Sequence, residues 1–349
     1  MSSAFIKQLG LKYPLIQAPM AGVTTPALAA AVSNAGALGS LGLGAGNAAA
    51  ARKAIQETRA LTSKPFNVNF FVHVDPSPNP AQDAKWIAAL EPELTRLGGT
   101  PPKNLKTIYA SFASDSDVLD VVLEEKPPVV SFHFGLPPSG TIKKLKEKGI
   151  VLLASATSVD EAKAIEKAGC DAIVAQGWEA GGHRGIFDPT GADERLSTLD
   201  LLSKLKAAVK LPLIAAGGIM TGQEAQKFID AGAAAVQMGT AFVPCPESSA
   251  DADYKALLLS APQTHMVDVI SGRPARSLEN KWTALQGKHD GSVADYPNAY
   301  DLGKQVVAAA KKKGEKGWGV CWSGTGHKKS REMPAAELVE TIAKEAGWA

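Results

Sequence analysis

Cysteine is scarce in this sequence, and neither sign of charge dominates it. The 349 residues include three scattered cysteines, Cys170, Cys245 and Cys321, with no CxxC pair. This excludes a disulfide framework and a cysteine-based zinc site, and it is typical of a reducing cytosol. A formal net charge of +2, with no basic stripe or arginine-rich arm, argues against a nucleic-acid-binding protein.

Long apolar runs are missing as well. No run approaches the ~18 residues that cross a membrane, and the first ten residues, MSSAFIKQLG, lack the apolar region of a signal peptide. We therefore expect a cytoplasmic protein with no membrane or nucleic-acid partner, and its oligomeric state, monomer or homodimer, stays open. Apolar material for a core is plentiful, since 45% of the residues are hydrophobic and 21% are charged.

Short apolar runs alternate with helical patterns along most of the chain. Such alternation predicts βαβ units and a parallel sheet. Nine candidate strands are centred on Ile16, Leu38, Phe70, Ile108, Val130, Leu152, Val174, Ile214 and Val236. A closed barrel needs eight, and we suspect that the Ile108 segment is the irregular one. The sequence therefore predicts an α/β fold of the (β/α)₈ TIM-barrel type rather than an open doubly wound sheet.

Two stretches interrupt the alternation. Residues 75–105 carry several prolines around one amphipathic helix, predicted at 81–97, and the pattern dissolves after Phe242. In the tail we expect an extended segment near 266–276 and helices at 298–313 and 335–346. We expect residues 1–74 and 106–265 to form the barrel. Residues 75–105 and 266–349 would then be an inserted segment and a C-terminal, mostly helical cap over its mouth.

The stretch 172–185, AIVAQGWEAGGHRG, begins as a strand buried on both faces and ends in glycines. It places Gln176, Glu179 and His183 at the carboxyl end of a strand, where α/β barrels keep their chemistry. We take His183 as the catalytic candidate for handling a proton, although a lone histidine is more often structural. Arg184 and Glu179 are expected to pair with each other.

Two glycine-bearing strand ends lie late in the chain, at Gly217-Gly218 and at Gln237-Met238-Gly239-Thr240. In (β/α)₈ enzymes the loops after the last two strands commonly hold a phosphate on backbone N–H groups and a helix N-terminus. The helix that begins near Thr221 would point its positive end there. The alternative is that these glycines only turn a strand into a helix.

The first strand end, Ala18-Pro19-Met20-Ala21, offers a flat apolar surface that suits a planar ring, or is an ordinary strand exit. Asn69 and Gln176 carry amides that need partners, because unpaired burial costs ~1–3 kcal/mol. Ring heteroatoms or neighbouring backbone would satisfy these amides equally well. His133 also reaches the mouth, but no acidic partner has ligand spacing, so we expect no metal.

The tail adds Tyr300 and Lys304, which share one face of a predicted helix, and Tyr296 just before that helix. Together they would present two phenols and an ammonium group to a small anion, or they are a packed tyrosine pair beside a surface lysine. The glycine-rich turn Trp322-Ser323-Gly324-Thr325-Gly326 is unspecific by itself.

Together these motifs resemble the nitronate monooxygenases, formerly called 2-nitropropane dioxygenases. The resemblance covers nearly the whole chain and is carried by residues 17–23, 67–71, 176–185, 215–219 and 237–240. This set is specific for flavin-dependent barrels, which include FMN-dependent enoyl reductases and NAD(P)H:quinone reductases. The residues that narrow the resemblance to class I nitronate monooxygenases are Tyr109, His133, Tyr254, Tyr296, Tyr300 and Lys304.

The resemblance implies FMN as cofactor, His183 as catalytic residue and those six residues as substrate contacts. The implied cofactor contacts are Ala18, Pro19, Met20, Ala21, Asn69, Gln176, Gly181, Gly182, Gly217, Gly218, Gln237, Met238, Gly239 and Thr240. The implied reaction is oxidative denitrification of alkyl nitronates, notably propionate 3-nitronate, with O₂, giving an aldehyde or ketone plus nitrite and nitrate. Neutral nitroalkanes would first need His183 as base. The alternatives are an FMN-dependent NAD(P)H:quinone or enoyl reductase, and a non-catalytic flavin- or phosphate-ligand-binding barrel.

Overall fold

Eight parallel strands form the centre of the molecule. The computed structural model describes residues 4–289, 291 and 293–349. The strands of this sheet are β1 Leu15–Gln17, β2 Gly39–Gly42, β3 Phe66–Phe71, β4 Val129–His133, β5 Val151–Ala156, β6 Ala172–Gln176, β8 Leu213–Ala216 and β9 Ala235–Met238. They lie in the order β1-β9-β8-β6-β5-β4-β3-β2.

Contacts between β1 and β2 close this sheet into a barrel. Ile16 and Leu38 form a parallel bridge. The Gln17 N–H donates to the Leu38 carbonyl, and the Leu38 N–H donates to the Leu15 carbonyl, both at 2.9 Å. The (β/α)₈ barrel is therefore confirmed. The Ile108 segment forms no strand, as suspected.

Helices alternate with the strands on the outside of the barrel. Three of these helices are preceded by a capping residue. The side chains of Thr25, Asn47 and Ser158 each accept a hydrogen bond from a backbone N–H in the first helical turn. The helices are α1 Ala4–Gln8, α2 Pro26–Asn34, α3 Ala48–Leu61, α4 Pro80–Arg96, α5 Ser116–Glu125, α6 Ser139–Glu147, α7 Val159–Ala168, α8 Thr198–Ala208, α9 Gly222–Asp230, α10 Ala252–Ser260, α11 Asn298–Lys313 and α12 Ala335–Glu345.

The insertion and the tail share a second hydrophobic core. Helix α4 supplies Trp86 and Leu90, and α11 supplies Leu302 and Val306, around the buried Trp282. This core is separate from the main cluster that lies between the barrel strands and the outer helices. The inserted helix α4 therefore packs against the tail.

The last helix, α12, lies against the barrel. It packs on α2 and α9, and its buried Leu338 and Ile342 belong to the main core. It thus fills the place of the helix that would follow β9. The division of the chain into barrel and cap stays a prediction, and we propose one change to it, namely that α12 be counted with the barrel.

The tail and a barrel loop together form a small antiparallel sheet that the sequence pattern did not predict. Its order is β10-β11-β7, with β10 at Thr264–Val267, β11 at Ala275–Leu278 and β7 at Gly182–His183. The segment expected to be extended is therefore two strands joined by a turn. Helix α10, which follows Phe242, was not predicted from the sequence pattern. In the part of the chain that the structure describes, none of the helices combines the length and the hydropathy of a membrane span.

Truncation of Leu338 tests whether α12 unfolds with the barrel. Leu338 is 0% exposed, so we expect Leu338→Ala to lower the free energy of unfolding by about 2–5 kcal/mol in chemical denaturation. Leu199→Ala is the matched control, because Leu199 is 53% exposed and should change the free energy of unfolding by less than about 0.5 kcal/mol. Equal effects of the two substitutions would contradict the placement of α12.

Candidate active site

One cavity of about 400 Å³ lies at the carboxyl ends of the barrel strands. The residues expected at the cofactor and substrate all line it: Ala18, Pro19, Met20, Ala21, Asn69, Tyr109, His133, Gln176, Gly181, Gly182, His183, Gly217, Gly218, Gln237, Met238, Gly239, Thr240, Tyr254, Tyr296, Tyr300 and Lys304. The barrel and the tail both contribute to its wall. The roles given to these residues remain proposals.

The backbone of His183 is held from both sides. Gly182 and His183 pair with Arg276 and Ala275 of β11. The His183 carbonyl accepts hydrogen bonds from His133 Nε2 and Gln176 Nε2, each at 3.0 Å. These contacts fix the glycine-rich loop, so that the imidazole of His183 borders the cavity.

The buried amides are satisfied largely by the protein itself. Besides the bond from its Nε2, Gln176 accepts the Gly185 N–H on its Oε1 at 2.7 Å. The Asn69 amide nitrogen donates to Ser131, at 3.1 Å to the carbonyl and 2.9 Å to Oγ. Neighbouring backbone, rather than ring heteroatoms, therefore supplies the hydrogen-bond partners of the Gln176 amide. In turn, this amide positions the His183 loop.

His133 has both ring nitrogens engaged. Its Nε2 faces a carbonyl and must donate, so its Nδ1 accepts from the Ser155 hydroxyl at 2.9 Å. Burial lowers the pKa of His133 to about 4, although the bond to His183 opposes this shift. His133 therefore remains neutral near pH 7 and supports the loop.

Aromatic rings surround the His183 imidazole. Ring centroids lie 5.1 Å away for Trp322, 5.5 Å for Phe134, 5.8 Å for Tyr296 and 6.5 Å for Tyr300. Burial beneath these rings lowers the pKa of His183 to about 3, and His133 and Arg273 add to the shift. The imidazole is thus neutral before any ligand arrives.

The four tyrosines differ in what their hydroxyls do. Tyr254 donates to the Trp322 carbonyl, so it holds the tail in place. The buried Tyr296 hydroxyl has no partner among the described residues. Burial raises the pKa of Tyr109 to about 12 and raises the pKa of Tyr254, Tyr296 and Tyr300 as well. All four phenols therefore stay protonated, and those of Tyr109, Tyr296 and Tyr300 can donate hydrogen bonds to a ligand.

Lys304 provides an exposed ammonium group at the cavity. Its Nζ lies 4.8 Å from the Tyr109 ring centroid and 5.8 Å from that of Tyr300. Within the described part of the chain it forms no ion pair. The aromatic rings hold the ammonium group by cation–π contact and leave its charge available to an anion.

The glycine-bearing strand ends that line the cavity carry backbone N–H groups without an acceptor. Those of Gly218, Gly239 and Thr240 find no acceptor within residues 4–289, 291 and 293–349. The φ angle of Gly218 is 73° and that of Gly217 is 132°, which favour glycine. Such free N–H groups suit a phosphate.

Several backbone donors at the N-terminus of α9, which was predicted to point at a phosphate, bind other groups of the protein. The N–H groups of Met220 and Thr221 donate to Glu224, which forms a capping box with Thr221. The Gly222 N–H donates to Glu345 of α12 at 2.7 Å. Because these donors are engaged, a phosphate would have to rely on the strand-end glycines.

The turn at residues 322–326 closes the glycine-bearing side of the cavity, which its sequence alone did not reveal. The Gly324 N–H donates to Thr240 Oγ1 at 2.9 Å, and the Thr325 N–H donates to the Glu179 carbonyl at 3.0 Å. A Cβ on Gly181 would lie 2.3 Å from the Gly324 nitrogen. The tail backbone therefore approaches the barrel as closely as glycine allows.

The expected pairing of Arg184 with Glu179 was wrong. Arg184 forms two bonds to Asp193, at 2.8 and 2.9 Å. Glu179 accepts from the backbone and hydroxyl of Thr198, each at 2.9 Å.

Among the described residues, no group of three His, Cys, Asp or Glu side chains could hold a metal.

Comparisons with known proteins point to one family. A model named nitronate monooxygenase matches residues 2–345. The chain is 53% identical over 345 residues to a nitronate monooxygenase of Paraburkholderia phytofirmans, covering 98% of this chain and 94% of that protein. It is 47% identical over 350 residues to one of Pseudomonas aeruginosa, covering 99% of each. A solved nitroalkane oxidase from Streptomyces ansochromogenes is similar, with a TM-score of 0.88, 37% identity and coverage of 99% of this chain and 98% of that one.

The buried neutral state of His133 predicts a pH dependence of stability. Because the folded pKa is about 4 against the usual 6.5, the unfolded chain binds a proton between these pH values that the folded chain does not. Stability from this group is therefore lost as pH falls from about 6.5 towards 4. We expect the free energy of unfolding of the wild type minus that of His133→Gln to fall by up to about 1.4 kcal/mol per pH unit in this window. A difference that does not change between pH 7 and 5 in urea denaturation would contradict the assignment.

Proposed function

We propose an activity for this chain, which belongs to the nitronate monooxygenase family: with FMN as cofactor, it oxidises alkyl nitronates with O₂. The products would be an aldehyde or ketone together with nitrite and nitrate. Propionate 3-nitronate is the substrate that we favour, and neutral nitroalkanes would enter after loss of their α-proton.

The observation that carries this proposal is that one cavity joins two chemically different groups of residues. One group is the set of glycine backbones at the carboxyl ends of β8 and β9 and in the tail turn. The other is the aromatic wall around His183, with Lys304 at the cavity. A nucleotide cofactor needs the first, and a small anionic substrate needs the second.

The residues present fit FMN. Its phosphate would bind the free N–H groups of Gly218, Gly239 and Thr240. The apolar backbone of residues 18–21 would lie along the flat ring. FMN, when bound, supplies the electron acceptor that a nitronate can reduce and the route by which electrons reach O₂.

The chain's own residues favour an anion beside the cofactor. Lys304 brings a positive charge that pairs with a carboxylate or a nitronate. Tyr109, Tyr296 and Tyr300 remain protonated and can donate to nitro or carboxylate oxygens. The aromatic wall lowers the local polarity, which strengthens each of these interactions.

The comparisons do not favour either alternative, the reductase or the non-catalytic binding barrel. We also propose a cytoplasmic location, supported by three buried cysteines that form no disulfide. The oligomeric state stays open.

A spectrum of the purified protein tests the function directly. We expect a yellow protein whose flavin absorbance is bleached by anaerobic propionate 3-nitronate within seconds, and not by NADH. Readmitted oxygen should restore the spectrum and produce nitrite. Bleaching by NADH alone would favour the reductase, and a colourless protein that takes up no added FMN would exclude flavin chemistry.

A further inference from the structure

We propose that Ser271 is a positioning residue that determines which ring nitrogen of neutral His183 carries the proton. Its hydroxyl donates to the Arg273 carbonyl and accepts from the imidazole. The catalytic consequence rests on the proposed function, whereas the arrangement of protons is a property of the protein alone. Ser271 lies outside the residues that line the cavity, and its side chain has 0% exposure.

Three hydrogen bonds meet at the Ser271 hydroxyl. His183 Nε2 lies 2.8 Å from Ser271 Oγ. The same Oγ lies 3.2 Å from the Arg273 carbonyl oxygen and 3.4 Å from the Arg273 backbone nitrogen. With the carbonyl and N–H of one residue and the imidazole around it, this hydroxyl is fully engaged.

The carbonyl decides the direction of these bonds. A carbonyl oxygen only accepts, so we assign the single hydroxyl proton of Ser271 to its 3.2 Å contact with the Arg273 carbonyl. The Oγ lone pairs then face the Arg273 N–H and His183 Nε2. It follows that Nε2 carries the ring proton of neutral His183 and donates a hydrogen bond to Ser271. A hydrogen bond to one ring nitrogen commonly decides the tautomer of a histidine.

The other ring nitrogen is left with a lone pair. His183 Nδ1 has no hydrogen-bond partner among the described residues. It is not one of their buried atoms without a partner, so it is accessible. The ring itself lines the cavity. Since the ring is neutral and protonated at Nε2, Nδ1 is the nitrogen that can accept a proton from a bound molecule.

The turn that carries Ser271 is rigidly held. The N–H groups of Ser271 and Gly272 both donate to the Asp268 carbonyl, at 3.1 and 2.8 Å. Gly272 has a φ of 84°, and a Cβ there would lie 2.4 Å from the Ala294 carbonyl oxygen. The buried Arg273 guanidinium stacks 4.2 Å from the Phe134 ring centroid, and Phe134 in turn contacts His183 edge-on.

This tautomer suits removal of a proton from a neutral nitroalkane. The Nδ1 lone pair takes the α-proton, and the C–H electron pair becomes the C=N bond of the nitronate. The negative charge moves to the nitro oxygens, and the imidazole becomes positively charged with a proton on each nitrogen. A nitronate supplied as such needs no proton removal, so its turnover should not depend on the tautomer.

Nitrogen NMR of protein labelled with ¹⁵N-histidine tests the arrangement without any catalysis. We expect His183, assigned by its loss in His183→Asn, to show a protonated Nε2 and an unprotonated Nδ1 in the wild type. Ser271→Ala should give a mixture of the two tautomers, and Ser271→Thr, which keeps the hydroxyl, should restore the wild-type signal. A wild type protonated at Nδ1 would overturn the proposal, whatever the enzyme's activity.

Kinetic measurements then distinguish a positioning role of Ser271 from a general loss of folded structure. We expect Ser271→Ala to lower kcat on nitroethane by about tenfold or more, a part of the 10²–10⁴ that base catalysis contributes. Its kcat on ethylnitronate should change by less than about twofold, and Ser271→Thr should recover turnover of nitroethane. Ser33→Ala, which removes another buried hydrogen-bonded serine on α2, should affect neither substrate. Equal losses on both substrates would show that Ser271 only supports the fold, and would overturn its role in proton removal.

Discussion

The pairing of Gly182–His183 with β11 is the interaction on which the cavity depends. Two residues of a barrel loop form a strand with the tail, and the Arg184 N–H extends the contact by donating to the Pro274 carbonyl at 2.8 Å. The glycines before His183 bring this loop to the tail, because Gly182 has a φ of 73° and a Cβ at Gly181 would lie 2.3 Å from the Gly324 nitrogen. The barrel thus provides the strand ends, and the tail completes the wall around His183.

The electrostatics of the cavity follow from this enclosure. Burial beneath aromatic rings and the tail backbone disfavours the charged imidazoles of His133 and His183, so both favour their neutral forms. Burial equally keeps the tyrosine hydroxyls protonated. Lys304 remains as a cation bordering the cavity, held over two aromatic rings. A neutral base beside hydrogen-bond donors and one positive charge is an arrangement that binds an anion and can also form one.

The barrel and much of the cavity were predictable because they rest on local patterns. Buried strands, capping residues such as Thr25 and Asn47, and glycines at strand ends have sequence signals that do not need a distant partner. The carboxyl ends of parallel strands must meet at one mouth, so His183, Gly218 and Thr240 were expected near one another. The fold therefore followed from periodicity, and the resemblance to a family supplied the tail residues.

What could not be predicted depends on contacts between distant parts of the chain. Strand β7 is two residues of a glycine-rich loop, and nothing in GH indicates a strand until β11 lies beside it. The N-terminus of α9 looked free, but Glu345, 123 residues away, occupies one of its donors. Helix α10 was missed because its three leucines are consecutive in the sequence, so its apolar residues do not recur at the spacing of a helix. The partners of Gln176, Arg184 and His183 likewise come from loops whose positions only the fold defines.

The central claim is that close approach of the tail backbone to the Gly181 loop completes a flavin site. A Cβ at position 181 would lie 2.3 Å from the Gly324 nitrogen and 2.4 Å from the Ser323 carbonyl carbon, so Gly181→Ala must displace the turn. The Kd for FMN, measured by quenching of flavin fluorescence, should rise by about tenfold or more, which corresponds to about 1.4 kcal/mol. In Gly140→Ala the new Cβ meets nothing within 4 Å, and the Kd should equal that of the wild type. Unchanged FMN affinity in Gly181→Ala would contradict the account.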